Sequence, residues 1–206
     1  MEHKIQVIRP DAYQVSTWSG GTTTQIAIFP PQERYTDRNF LWRVSSASVN
    51  LAESDFTALP DYIRLICTIQ GEIDLSHNEG PWLHLRPFEL HRFDGADRTC
   101  SRGLCTDFNL MLRKDVAMDG DVLCTQLDIG QEKTLAAIPG ASVLAYCVSG
   151  ALKVSDGENA VTFRAGESSL IENSEQPIRF LAEGEPSVAL ICQIWKESRK
   201  DDNHHG

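Results

Sequence analysis

Apolar and polar residues alternate over short stretches along most of the chain, and no stretch repeats apolar residues at the spacing of a long amphipathic helix. Strands are predicted over Thr23 to Phe29, Leu41 to Val49, Ile63 to Gln70, Trp82 to Leu85, Leu104 to Leu112, Val143 to Val148, Val161 to Phe163, Ser168 to Ile171 and Val188 to Trp195. β-Branched and aromatic residues crowd these runs, and Gly, Pro, Asn and Asp punctuate them. Gln32 to Asn39 reads as a polar loop with room for one helical turn, and the polar tail Glu197 to Gly206, with His204-His205, reads as a frayed terminus.

Two segments, Leu65 to Asp94 and Leu144 to Glu172, follow one pattern. Each opens with an apolar strand, breaks at a glycine (Gly71, Gly150), and resumes as a short strand (Glu72-Ile73-Asp74-Leu75, Ala151-Leu152-Lys153-Val154). Each then turns on polar residues before another strand, and after a one-residue gap Leu83 to Glu89 matches Val161 to Glu167. Unrelated hairpins can look alike, but agreement in both turn and strand lengths favours an internal duplication. The expectation is an all-β chain of two small antiparallel β-barrels of jelly-roll type, the first over residues 1–114 and the second over 115–206. The charged stretch Lys114 to Asp121, with Gly120, marks the boundary.

With 206 residues and 41% hydrophobic content, the chain can bury a substantial core. A formal charge of −10 argues against a general nucleic-acid-binding surface, which needs Lys and Arg to neutralise phosphates. Met1 to Pro10 lacks the apolar run of a secretion signal and nothing approaches a membrane span, so no membrane partner and a cytoplasmic location are expected. Of the six cysteines, Cys67, Cys147 and Cys192 fall inside apolar strands as small hydrophobes. Cys100 and Cys105 have no second pair at zinc-ribbon spacing.

Polar residues inside apolar strands carry the functional signal, because an inward polar group in a barrel costs free energy unless it meets a partner or a ligand. In Leu41 to Val49, alternation puts Arg43, Ser45 and Ala47 on one face and Trp42, Val44 and Ser46 on the other. An arginine beside a serine suits a carboxylate, whose two oxygens a guanidinium can hold at once. In Asp107 to Leu112, Asp107, Asn109 and Met111 share a face. Asp107 is either the partner of Arg43 or Arg64 in a structural ion pair or a group that meets ligand. Trp18-Ser19-Gly20-Gly21-Thr22-Thr23-Thr24-Gln25 is either a tight turn into a strand or a lip over a pocket, with Trp18 as wall and Thr22 or Gln25 as hydrogen-bonding groups.

These segments, with Pro60-Asp61-Tyr62-Ile63-Arg64, Leu85-Arg86-Pro87-Phe88 and Phe93-Asp94-Gly95, resemble the HutD/Ves family from about Trp18 to Arg113. The resemblance implies a bicupin fold, two cupin barrels in one chain. It also implies a link to bacterial histidine degradation, through a small pathway carboxylate such as formylglutamate or urocanate. Its matching polar positions are Thr22, Thr23, Gln25, Arg43, Ser45, Arg64, Arg86, Asp107 and Asn109. Tyr62-Ile63 departs from the family's Gly- and Asp-containing turn before the arginine, which bears on the orientation of Arg64.

Many cupins hold a metal with two close histidines, a glutamate and a later histidine. This chain has no His-x-His; His77, His84 and His91 supply at most one element of that set, so no metal and no cofactor are expected. Ser45, Ser46 and Ser48 lack an activating context such as Gly-x-Ser-x-Gly. Three functional readings follow. The first is a metal-free bicupin binding a small anionic metabolite through Trp18, Thr22, Gln25, Arg43, Ser45, Arg64 and Asn109. The second is a cofactor-free isomerase or hydrolase with Asp107 as base beside Arg43. The third is an interaction module whose barrel edges pair in a homodimer.

Overall fold

The computed structural model describes residues 5–197; the first four residues and the tail from 198, including His204-His205, lie outside the described residues. The first eleven strands are β1 (Gln6–Ile8), β2 (Gln14–Trp18), β3 (Gly21–Phe29), β4 (Trp42–Val49), β5 (Glu53–Asp55), β6 (Tyr62–Gly71), β7 (Ile73–His77), β8 (Leu83–Leu85), β9 (His91–Asp94), β10 (Thr99–Arg102) and β11 (Cys105–Arg113). Then come β12 (Met118–Leu127), β13 (Glu132–Leu135), β14 (Ser142–Ser149), β15 (Ala151–Ser155), β16 (Ala160–Arg164), β17 (Ser168–Glu172), β18 (Ile178–Ala182) and β19 (Ser187–Lys196). The chain is all-β. Short 3-10 turns at Pro10–Ala12 and Tyr35–Asp37 are the helical elements among the described residues, and none is long and apolar enough to cross a membrane.

Four antiparallel sheets form two facing pairs. A six-stranded sheet, β2-β3-β4-β11-β6-β9, faces a four-stranded one, β5-β10-β7-β8. A five-stranded sheet, β1-β17-β14-β19-β12, faces the four-stranded β13-β18-β15-β16. The first strand of the chain thus adds to a sheet built mainly from its second half, where Gln6 to Ile8 pair with Leu170 to Ser168.

The duplication extends to individual hydrogen bonds. Gly71 and Gly150 both take positive φ (+74° and +82°), and a Cβ at either would lie 2.4 Å from Leu104 O or 2.5 Å from Pro186 O. Only glycine meets both demands without strain. In the later turns, the Glu89 carboxylate accepts from Arg86 N at 3.0 Å and the Glu167 carboxylate from Arg164 N at 2.9 Å. The next repeated contact is Phe88 N to Thr68 O at 2.8 Å, matched by Gly166 N to Cys147 O at 2.9 Å.

The two halves differ in what fills them. The second is packed with apolar side chains from both sheets, among them Leu152, Val154, Phe163, Phe180 and Ile191. A second core joins the two large sheets: Trp42, Val44, Leu65, Phe108 and Leu110 meet Val122, Leu144, Leu190, Cys192 and Ile194. These residues occupy the face of β4, β6 and β11 opposite the polar positions, as alternation demands. With its outer face committed to this core, the six-stranded sheet turns its polar residues inward. Apolar packing inside the first half is divided between one cluster around Ile66, Ile73, Leu75 and Phe93 and another around Phe40, Leu59, Tyr62 and Met111.

Candidate functional site

Three rungs of side chains cross the inner face of the six-stranded sheet. Strand register aligns Ile28, Arg43, Met111, Arg64 and Phe93, then Gln25, Ser45, Asn109, Ile66 and His91, then Thr23, Ala47, Asp107 and Thr68. Two irregularities set this alignment. A bulge between Gln25 and Ala27 leaves Ile26 as the extra residue, so that Gln25 and Ile28 both face inward; a second shift falls at Thr106/Asp107. Arg43, Ser45, Arg64, Asp107 and Asn109 therefore converge, all buried. They line one cavity of about 270 Å³, near the small end of the range for metabolite pockets.

Arg43 is held in place by neutral groups. Its Nε donates to Gln25 Oε1 at 2.8 Å and its Nη1 to Ser45 Oγ at 3.0 Å, while Gln25 Nε2 donates to Gln14 Oε1 at 3.2 Å. The Tyr35 ring lies under the Arg43 guanidinium, 4.3 Å from its Cζ. Arg64 rests on Phe56 and Phe93, with Cζ 4.8 Å and 5.2 Å from the ring centroids, and its Nε has no hydrogen-bond partner among the described residues. Burial draws both guanidinium pKa values down to about 10, which leaves both groups charged at neutral pH.

Asp107 Oδ1 accepts from Ala47 N at 3.1 Å. Among the described residues no ion pair joins Asp107 to Arg43 or Arg64, although both act on it through space. Burial raises its carboxyl to about 7, against the opposing pull of Arg64, the Ala47 N–H and Arg43. Thr68 Oγ1 and Asn109 Oδ1, also buried, lack hydrogen-bond partners among the described residues. Buried polar atoms are nearly always paired in folded proteins, so the unpaired Arg64 Nε and Asn109 Oδ1 on its wall, with Thr68 Oγ1 next to Asp107 in the register, set the cavity apart from ordinary core.

Of the sequence-derived positions, Trp18, Arg43, Ser45, Arg64, Asp107 and Asn109 line the cavity, and Gln25 stands behind Arg43. Trp18 is half-exposed at the rim and folds over Gly20, where a Cβ would overlap its ring. Thr22 alternates onto the outer face of β3, and Thr23 takes the cavity position. Arg86 is exposed in the turn capped by Glu89. Tyr35, Phe56 and Met111 also line it; the connections that carry Tyr35 and Phe56 hold other buried apolar residues, Phe40 and Leu59, so the sequence did not single the two aromatics out.

The donor set does not fit a cupin-type metal. Among the described residues no three His, Cys, Asp or Glu side chains converge. His77 and His91 do meet, Nε2 to Nε2 at 2.9 Å, and His84 lies apart against Asp74 and Glu72. All six cysteines are free, and burial lifts the Cys67, Cys105 and Cys147 thiols to about 12, far from a reactive thiolate.

Facing sheet pairs repeated within one chain, the second half filled and the first enclosing a polar cavity, define a bicupin. The chain belongs to the HutD family, whose model matches residues 10–190. Solved structures agree in fold. A conserved protein of unknown function, PA5104 from Pseudomonas aeruginosa PAO1, is 18% identical with a TM-score of 0.79, covering 93% of this chain and 98% of its own. HutD from Pseudomonas fluorescens SBW25 is 22% identical with a TM-score of 0.72, over 95% and 100% of the two chains. YhhW from Escherichia coli is 11% identical with a TM-score of 0.72, over 94% and 99%. No curated protein matches the chain significantly in sequence.

Proposed function

We propose that this chain is a metal-free cytoplasmic bicupin that binds a small anionic metabolite in its first half and acts as an accessory or regulatory protein. The observation that carries the reading is the pair of buried guanidiniums, Arg43 and Arg64, braced by neutral partners and aromatic rings inside one cavity. A guanidinium whose charge is not locally neutralised, in a low-dielectric recess, favours a carboxylate. Ser45 and Asn109 would orient the bound acid, and Met111 spaces the two cations. The HutD family match supports a context of histidine utilization, and the resemblance noted above makes formylglutamate and urocanate the first candidates.

Calorimetric titration of these two acids into wild type and Arg43→Ala tests the reading. Wild type should bind at least one, and the variant should lose most of that affinity while retaining its circular dichroism spectrum. Equal affinity in the two proteins would remove Arg43 as the clamp. The enzymatic alternative draws support from Asp107, whose pKa near 7 suits a general acid or base. Turnover of either acid that disappears in Asp107→Asn would favour catalysis over binding alone.

A further inference from the structure

We propose that the first-half cavity takes up an anion together with one proton, the proton being held on the Asp107 carboxyl. This rests on the anion-binding reading of the same cavity and adds the charge balance of binding.

The geometry sets the problem. Asp107 lies on the inner face two positions from Asn109 and four from Met111, beside the braced guanidiniums of Arg43 on β4 and Arg64 on β6. Its Oδ1 is occupied by the Ala47 N–H, and no cation pairs with it directly among the described residues. Across the register stands Thr68, neutral and without a partner for its hydroxyl. The other titratable groups on the cavity wall are Asp55 and Tyr35, and the thiols of Cys67 and Cys105 also feel the Asp107 charge. The guanidiniums are thus the favourable charges acting on the Asp107 carboxylate, and the same two would receive an incoming anion.

An anion in so small a cavity competes with the Asp107 carboxylate for Arg43 and Arg64 and repels it through a medium of low dielectric. Both effects favour the protonated carboxyl. The carboxyl is already poised for this, since burial holds it at about 7 in the free protein. A solvent proton moves to the oxygen not engaged by Ala47, and the cavity then holds two cations, one anion and a neutral acid. Above neutrality, binding draws this proton from an increasingly dilute supply, so affinity should fall about tenfold per pH unit. Below about pH 6 Asp107 is already protonated and affinity should level off.

Isothermal titration calorimetry with acetate and glutarate, both ionised from about pH 6 to 9, tests the coupling. Titrations in two buffers of different ionisation enthalpy should read close to one proton taken up at about pH 8 by wild type and none by Asp107→Asn. The variant keeps an oxygen for the Ala47 N–H, and its affinity should not vary with pH. Binding that is independent of pH and buffer in wild type overturns the coupling and leaves the anion site standing. Failure of both acids to bind at about pH 6 overturns the anion-site reading and the coupling with it. A carbon-13 titration of the Asp107 carboxyl in free protein gives a ligand-independent check: a midpoint near neutrality supports the coupling, and one below about 5 overturns it.

Discussion

His77 Nε2 and His91 Nε2 lie 2.9 Å apart, one ring nitrogen donating and the other accepting. Thr99 Oγ1 lies 2.9 Å from His77 Nδ1 and 3.2 Å from Asp97 O, and its single proton serves one of the two. The pair packs on Phe93, a ring that also meets Arg64 and Phe56. Partial burial lowers both histidine pKa values, with Arg64 adding to the effect at His77 and His77 at His91.

A histidine with a lower pKa folded than unfolded contributes stability that is complete above the unfolded value and is lost as pH falls through the folded one. The pair's own contribution to stability should therefore shrink as pH falls from about 7 to 5, against the opposite contribution of Asp107. Differential scanning calorimetry should show wild type losing stability relative to His77→Gln as pH falls from about 7 to 5, since Asp107 acts equally in both. Superimposable pH profiles would exclude the pair as a source of acid sensitivity.

Asp107 acts with the opposite sign. Its carboxyl is raised from 3.8 to about 7, so the folded chain holds a proton that the unfolded chain releases, and stability falls as pH rises across that window. Asp107→Asn should stabilise the protein at about pH 8 by up to roughly 4 kcal/mol, the gain shrinking to nothing near pH 4. Urea unfolding at the two pH values measures it; a variant less stable than wild type at pH 8 would show that the carboxylate is better satisfied than its surroundings indicate.

Gly71 and Gly150 carry the same burden in the two halves. Alanine at either would combine a left-handed backbone with a Cβ driven into a carbonyl oxygen of the neighbouring chain segment. Each substitution should cost about 2 kcal/mol or more, whereas Gly157→Ala, where a Cβ meets nothing within 4 Å, should cost less despite its positive φ. Chemical denaturation of the three variants separates backbone strain from collision.

Phe108 is fully buried in the core shared by the two large sheets, with its ring 6.0 Å from that of Tyr146. Phe108→Ala should cost about 3–5 kcal/mol. Because the core belongs to both halves, wild type should unfold in one calorimetric transition. Two resolved transitions in wild type would mean that the halves are stable independently.

Alternation alone placed Arg43 with Ser45 and Asp107 with Asn109 and Met111, because side-chain direction in a strand has a period of two residues and needs no knowledge of neighbouring strands. It also placed Trp42, Val44, Phe108 and Leu110 on the opposite face, where the shared core lies. The repeat was legible for a similar reason: a glycine forced into positive φ and a glutamate capping its own turn are local devices that leave a local trace. All eleven strands read from the sequence, the short ones after Gly71 and Gly150 included, are present, but others such as β5, β10 and β13 left no comparable signal.

The tertiary structure decided which polar faces meet. Thr22 and Thr23 are indistinguishable in sequence until the β3–β4 register assigns one to each face, and the bulge at Ile26 that keeps both Gln25 and Ile28 inward depends on pairing with β4. The meeting of His77 with His91 requires the four-stranded sheet to fold over the six-stranded one. Strands, their two faces and the duplication were readable along the chain, since these rest on backbone sterics and on which side chains avoid water. That Arg43, Arg64 and Asp107 share one cavity emerges from the folded arrangement alone, because it depends on long-range register and on an outer core contributed by the other half of the chain.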